Sequence, residues 1–412
     1  MSDSLARSSA LGPAPRRRSA ASFANVRLFV AGQALSNTGS FSQLVALSLL
    51  VLDLSDSGFA LGATMSVQAI PMLLVGPWAG VLLDRWPLRR LMLVTAILGA
   101  LQAAALAVLA FSGLVTLPWI LLLALALGAI QAFDRPAAQA FLVELVPASS
   151  LSSAVALAST TQSIGRLGGP ALAALLYVWR GPGSVFAVNA VSYLAVVAAL
   201  LLLRSRELLP RSAPPTQRGQ LRAALRLARQ SPVLRPALLA NAFVGLLAFN
   251  FPTFFSTLAT LTFLQPALFG AAESINAVAS LAAGVVMARR VSHPTGKTVG
   301  LTCMALGVSL LWVALSPSPI VFLASMPAFG CAVVAYAVSM QALVQHHAPR
   351  EMAGRVMSLY TLGTLGTTPL GGLLVGWLID HVSPRAAVGV GGASAALAGL
   401  ALLRLLRPTS SP

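Results

Sequence analysis

Apolar residues in this chain fall into long blocks and do not alternate with polar ones at a strand period. Stretches of roughly 20 or more mostly apolar residues, the length a helix needs to cross a bilayer, recur along it. They cover 25–52, 59–83, 90–112, 117–143, 151–178 and 183–203, and after a polar interval 236–262, 267–288, 298–315, 319–345, 356–379 and 385–406. Backbone in lipid must satisfy its own hydrogen bonds, so such blocks predict helices. The expected fold is an all-α integral membrane protein of about twelve transmembrane helices in two six-helix bundles. The expected divisions are a disordered basic tail over 1–23, a first bundle over 24–204, and a cytoplasmic linker over 205–235. A second bundle follows over 236–406, with a short tail over 407–412.

Composition supports this solvent. Of 412 residues 57% are hydrophobic and only 9% charged, with a mean hydropathy of +0.84. A soluble domain needs roughly 25% charged residues to cover its surface. Soluble enzymes, nucleic-acid modules and disulfide-stapled secreted domains are thereby excluded. The net charge of +17 has a topological reading instead, because basic residues collect in cytoplasmic loops. With the N-terminus inside, the inside segments hold Arg7, Arg16, Arg17, Arg18 and Arg27, then Arg85, Arg89 and Arg90. The central linker adds Arg204, Arg206, Arg211, Arg218, Arg222, Arg226, Arg229 and Arg235, and later ones add Arg289, Arg290, Lys297, Arg350, Arg355, Arg404 and Arg407. Outside loops receive only Arg180 and Arg385. Both termini are therefore expected in the cytoplasm of a bacterial inner membrane. Arg218, Arg222, Arg226 and Arg229 recur at helical spacing opposite Leu221, Leu225 and Ala228, which predicts a short amphipathic helix on the membrane surface.

The two halves look duplicated. Gly80-Val-Leu-Leu-Asp84-Arg85 ends the second span and Gly284-Val-Val-Met-Ala288-Arg289 the eighth, about 200 residues apart, as expected of an internal repeat. Val146-Pro147 and Ala348-Pro349 precede the fifth and eleventh spans at a similar offset. Repeats of this kind mark transporters, with substrate bound near the midplane between like bundles.

The stretch Gly80–Arg90 resembles the loop 2–3 signature of the major facilitator superfamily, Gly-x-x-x-Asp-Arg/Lys-x-Gly-x-Arg-Arg. Gly32-Gln-Ala-Leu-Ser-Asn37, Ala132-Phe-Asp-Arg-Pro136, Val143-Glu-Leu-Val-Pro147 and Gly354-Arg-Val-Met-Ser-Leu-Tyr360 are similar to its drug and siderophore exporter branch. That branch includes bacterial enterobactin and macrolide efflux proteins. The resemblance implies a conformational latch of Gly80, Asp84, Arg85, Arg89, Arg90 and Glu144 that closes the cytoplasmic side. A carboxylate at Asp84, facing the start of the eleventh span near Ser358, would suit the positive end of a helix. The chain departs from the signature at Pro87 and Leu88, and the second half carries Ala288 in place of the Asp. Gly165-Arg-Leu-Gly-Gly169-Pro170 resembles the core of the antiporter signature, although Ala156 and Ala173-Ala174 replace its outer positions. Small residues there would let helices pack closely and Pro170 would bend the span.

Ionisable residues inside spans are costly and usually functional. Asp134, Arg135, Arg166 and Glu273 are the candidates for proton coupling or ion pairing, with an Asp134–Arg166 pair as one expectation. A permanent structural ion pair is its alternative, and Glu273 reads equally as a proton carrier or a loop carboxylate. Gly39-Ser40 stands where many relatives carry a first-span acid. Gln33, Asn37, Gln139, Gln162, Asn241, Asn250 and Phe254 are candidates for the substrate cavity, with Gln43, Asn189 and Asn276 as further polar groups.

The expectation is a secondary transporter that exports an organic compound (a drug, siderophore or metabolite) by alternating access and proton antiport. The proton gradient is the energy source, no cofactor or metal is expected, and a monomer is the default. An importer or facilitator on the same scaffold, or a transport-dead sensor, is the alternative. A membrane enzyme is disfavoured: no His-Glu-x-x-His, nucleophile elbow or Walker loop occurs, Val291 standing where the last would need Gly.

Overall fold

The structure is a computed structural model that describes residues 20–209, 220–290, 295–349 and 352–406; side chains at 21, 76–85, 220–224 and 288–290 lie outside that description. The expected tails over 1–23 and 407–412 fall almost wholly outside it, as do Arg211 and Arg218 and the side chain of Arg222.

Helices account for the apolar blocks. The first half comprises α1 (Ala24–Ser55), α2 (Gly58–Arg85), α3 (Leu88–Phe111), α4 (Leu117–Leu145), α5 (Leu151–Arg180) and α6 (Pro182–Leu202). The linker helix α7 (Gln220–Gln230) follows, amphipathic as its Arg spacing requires. The second half comprises α8 (Leu234–Leu247), α9 (Phe251–Thr257), α10 (Ala267–Arg290), α11 (Gly296–Ala314), α12 (Pro319–His347), α13 (Ala353–Leu365), α14 (Thr368–His381) and α15 (Pro384–Leu405). Eleven helical segments are long and apolar enough to cross a membrane among the described residues. The expected fifth span, α5, is 30 residues long but is not among them. Its first half carries Ser152, Ser153, Ser159, Thr160, Thr161, Gln162 and Ser163, which lower its hydropathy.

The seventh and eleventh spans are each broken. Pro252 and Pro369 sit in the first turns of α9 and α14 and cannot donate to the preceding turn. Side chains repair the exposed carbonyls: Asn250 Nδ2 donates to Leu246 O at 3.0 Å, and Thr367 Oγ1 to Gly363 O at 2.9 Å. Both prolines are plain in the sequence, yet the blocks around them read as continuous helices.

The same packing recurs in each half. α1 packs on α5 and α6, α2 on α4, and α3 on α6; α8 packs on α13 and α15, α10 on α12, and α11 on α15. The halves meet through α2 with α14, α5 with α10, and α9 with α1 and α2. The bundle has two ends. At the α1–α2 end Arg385 donates to Ser316 O at 2.9 Å, tying two connections together. At the α2–α3 end Asn25 donates to Arg204 O at 3.2 Å and accepts from Arg204 N at 3.0 Å. The inter-half contacts gather toward the α1–α2 end. There Ser66 Oγ donates to Pro369 O at 2.6 Å, and the backbones of Gly62 and Gly372 are in direct contact. Only residues without a Cβ permit that approach.

Candidate functional site

Helices α1, α2, α4, α5 and α6 enclose a cavity of about 330 Å³. It follows α1 from Phe29 to Leu47, roughly 27 Å at the helical rise. Four of the expected cavity residues, Gln33, Asn37, Gln139 and Gln162, line it together with Asp134 and Arg135. So do Gln43, Gln68, Gln131, Asn189, Thr161 and Tyr193. Of these, Gln68, Gln131, Thr161 and Tyr193 escaped sequence reasoning. Each is a polar group on an expected span, the signal that found the others.

The lining is held in place by bonds between side chains. Asn37 Nδ2 donates to Thr161 Oγ1 at 3.0 Å, joining α1 to α5. From the cavity lining outward a chain of amides has a fixed sense. Gln102 Nε2 donates to Leu123 O at 3.2 Å, which leaves Gln102 Oε1 to accept from Gln43 Nε2, also at 3.2 Å. Gln43 Oε1 then accepts from Asn189 Nδ2 at 2.7 Å. These three amides are buried and mutually satisfied, so the wall is rigid.

The expected antiporter residues act as packing. A Cβ at Gly165 would lie 2.7 Å from the Asn37 backbone, and Gly169 abuts Phe41 and Ser42. Ser42 Oγ donates to Gly169 O at 2.8 Å, next to Pro170. Pro170 O in turn lies against Gly270, where α5 crosses α10.

The intramembrane charges are arranged otherwise than expected. Asp134 and Arg166 are not paired. Asp134 Oδ1 accepts from Thr95 Oγ1 on α3 at 2.7 Å, and its charge interacts with Arg135 beside it. Arg166 lies on the α5 face directed at α10. It sits 5.8 Å from the Phe41 ring centroid and interacts electrostatically with Glu273. Glu273 is also hydrogen-bonded by Asn276. It is therefore an intramembrane group at the junction of the halves and not a loop carboxylate.

Three expected cavity residues lie outside the lining. Asn241 donates to Tyr360 O at 3.0 Å and Thr364 Oγ1 at 2.8 Å, tying α8 to α13. Asn250 repairs the α8–α9 break, and Phe254 is fully buried against Gly391. Of the expected latch, Gly80, Asp84 and Arg85 end α2, but their side chains lie outside the described residues. Arg89 is engaged elsewhere: it donates to Leu200 O at 2.8 Å, to Leu201 O at 3.1 Å and to Ser205 Oγ, satisfying carbonyls at the end of α6. Arg90 and Glu144 line a recess with Leu208 and Leu209, and Leu209 N donates to Glu144 O at 2.9 Å.

Residues 29–367 match the family model described as the Major Facilitator Superfamily. The chain belongs to this superfamily. Among related sequences, a macrolide efflux protein A of Streptococcus pyogenes is 30% identical over 173 residues, 42% of this chain and 41% of that protein. The match thus spans about two fifths of that relative's length. A staphyloferrin A transporter of Staphylococcus aureus is 30% identical over 43% of this chain and 44% of its own length. An uncharacterised superfamily transporter of Bacillus subtilis is 24% identical over 85% of this chain and 86% of its own. Among solved structures, a D-xylose–proton symporter superposes with a TM-score of 0.73 at 15% identity, covering 93% of this chain and 98% of that one. A bacterial homologue of the lysosomal transporter Spinster gives 0.70 at 15% identity, covering 96% of each chain. This superfamily member is a multi-pass membrane protein, with eleven candidate spans among its described residues.

Proposed function

We propose that this protein exports an organic compound from the cytoplasm by alternating access, driven by proton antiport across the cytoplasmic membrane. The observation that carries the reading is the cavity in the first half, where one acid and one base, Asp134 and Arg135, face a wall of amides and apolar side chains. Such a lining suits an amphipathic molecule with several hydrogen-bonding groups. Export is supported by likeness to the macrolide efflux protein and by the partial antiporter motif at Gly165–Pro170.

The arginine asymmetry supports a cytoplasmic α2–α3 end. The cavity then loads from that side, along the face bounded by Phe29 and Leu142. Protons acting at two places account for coupling. At Asp134 protonation leaves Arg135 uncompensated, which changes the charge that a substrate meets. At Glu273 protonation removes the attraction to Arg166 that draws the halves together at the α5–α10 crossing. No acid stands at Gly39 or Ser40 on α1, so these two groups are the carriers within the spans.

The test is transport into everted membrane vesicles, screening macrolides, siderophores and dyes with and without an imposed pH gradient. Gradient-driven accumulation that is lost in Asp134→Asn or Glu273→Gln is the expected result. Equal flux without a gradient identifies a facilitator, and accumulation in the opposite sense identifies an importer.

A further inference from the structure

The α1–α2 end holds a contact between the halves that neither the cavity nor the coupling charges use. Helix α2 begins at Gly58, and the first four N–H groups of a helix need acceptors from outside it. Ser57 provides two: its Oγ accepts from Ala60 N at 3.0 Å and its carbonyl from Leu61 N at 3.3 Å. The other two donors are taken by Asp380 of α14. Gly58 N donates to its Oδ1 at 2.6 Å and Phe59 N to its Oδ2 at 3.2 Å. Ser57 Oγ donates to Oδ2 as well, at 2.6 Å. One carboxylate from the second half thus completes the amino end of a helix in the first, where the helix dipole favours negative charge.

Two features make this contact reversible rather than a fixed part of either bundle. It lies at the rim of the Gly62–Gly372 and Gly58–Gly376 backbone approaches, so it can form only while the halves are closed at this end. Asp380 is also exposed, so on separation its oxygens and the freed donors pass to water and not to an apolar interior. Charge-assisted bonds exchanged with water have modest net strength, the range that suits a contact made and broken in each cycle.

We propose that Asp380 is a clasp residue on which transport depends. By capping α2 across the halves it holds the α1–α2 end shut, and its release accompanies every opening of that end. The proposal rests on the alternating-access reading above, but on none of its statements about substrate, direction or proton coupling. The sequence places a second carboxylate, Asp84, on α2 itself at its opposite end, so one acid stands near each terminus of this helix, one its own and one from α14.

The experiment is double electron–electron resonance on the full-length chain in lipid nanodiscs. Spin labels at Leu114→Cys and Ile320→Cys, both exposed at this end on opposite halves, are placed in a Cys331→Ser background. The expected result is a population shift from the short to the long distance of about tenfold in Asp380→Ala, the equilibrium effect of removing roughly one charged hydrogen-bonding group. Asp380→Glu restores part of the short-distance population. Ser57→Ala, which leaves the carboxylate in place, gives a smaller shift of the same sign and serves if Asp380→Ala does not fold. Distances unchanged in Asp380→Ala and Ser57→Ala, with or without a lower melting temperature, overturn the proposal and leave Asp380 a structural cap. A distance shift in a chain that shows no gradient-driven flux sustains the clasp and removes the antiport reading instead.

Discussion

The two halves share one plan of helix pairing and fill it differently. In the first half the interior is polar and partly empty: amides, Asp134, Arg135 and Tyr193 border a cavity of about 330 Å³. In the second the corresponding space is packed with rings. Phe251 meets Phe329 edge-on at 4.7 Å between centroids, Phe255 meets Phe329 at 5.0 Å, and Tyr336 lies 6.1 Å from Phe249. The polar groups of the second half turn instead to backbone, as at Asn241 and Asn250. A repeated backbone therefore does not imply a repeated site. On the function proposed above, the first half is the one that would carry recognition, with the second as a solid partner meeting it at Glu273 and Asp380.

The comparison breaks most severely where the halves touch. Gly62→Leu would drive a side chain into the Gly372 carbonyl, and transport is expected to fall more than about a hundredfold because closure at the α1–α2 end is blocked. Flux in proteoliposomes checks this, with Gly389→Ala on α15 as a control, where the nearest atom to an added Cβ lies at 4.0 Å. Within the first half, Asp134→Asn is expected to reduce gradient-driven flux at least about tenfold by leaving Arg135 an uncompensated charge. The double variant Asp134→Asn, Arg135→Gln should bind substrate better than the single one, and a double-mutant cycle measures the coupling.

Smaller effects sharpen the contrast. Gln102→Leu removes the acceptor that orients Gln43 and leaves the buried Gln43 Nε2 without that partner. A loss of about 1–3 kcal/mol is expected in unfolding measurements in detergent. In the second half Phe329→Leu gives up two edge-on ring contacts, and about 1 kcal/mol of stability should go with no change in the compounds transported. An altered substrate profile in Phe329→Leu would place recognition in both halves.

Much of this was legible in the residues. Apolar blocks gave the spans because a helix in lipid has no alternative, and arginine placement gave an expected sidedness. Gln33, Asn37, Gln139, Gln162, Asp134 and Arg135 stood out because polar groups in spans need a reason. The same signal misled at Asn241 and Asn250, where the reason is helix–helix bonding and backbone repair at a break. The Asp134–Arg166 pairing failed on helix phase: Asp134 turns to Thr95 on α3 while Arg166 turns to α10, and one sequence does not show which neighbours two spans face. Asp380 was invisible because an acid at the end of a span looks like an ordinary loop residue until the chain brings it to Gly58, 322 positions away.

The most direct measurement is accumulation of the screened compounds in everted vesicles under an imposed pH gradient, comparing the native chain with Asp134→Asn and Phe329→Leu. The account predicts gradient-driven uptake into the vesicles that Asp134→Asn abolishes and Phe329→Leu retains. Uptake that survives in Asp134→Asn, or that fails in Phe329→Leu at undiminished protein level, contradicts a binding site built in the first half alone.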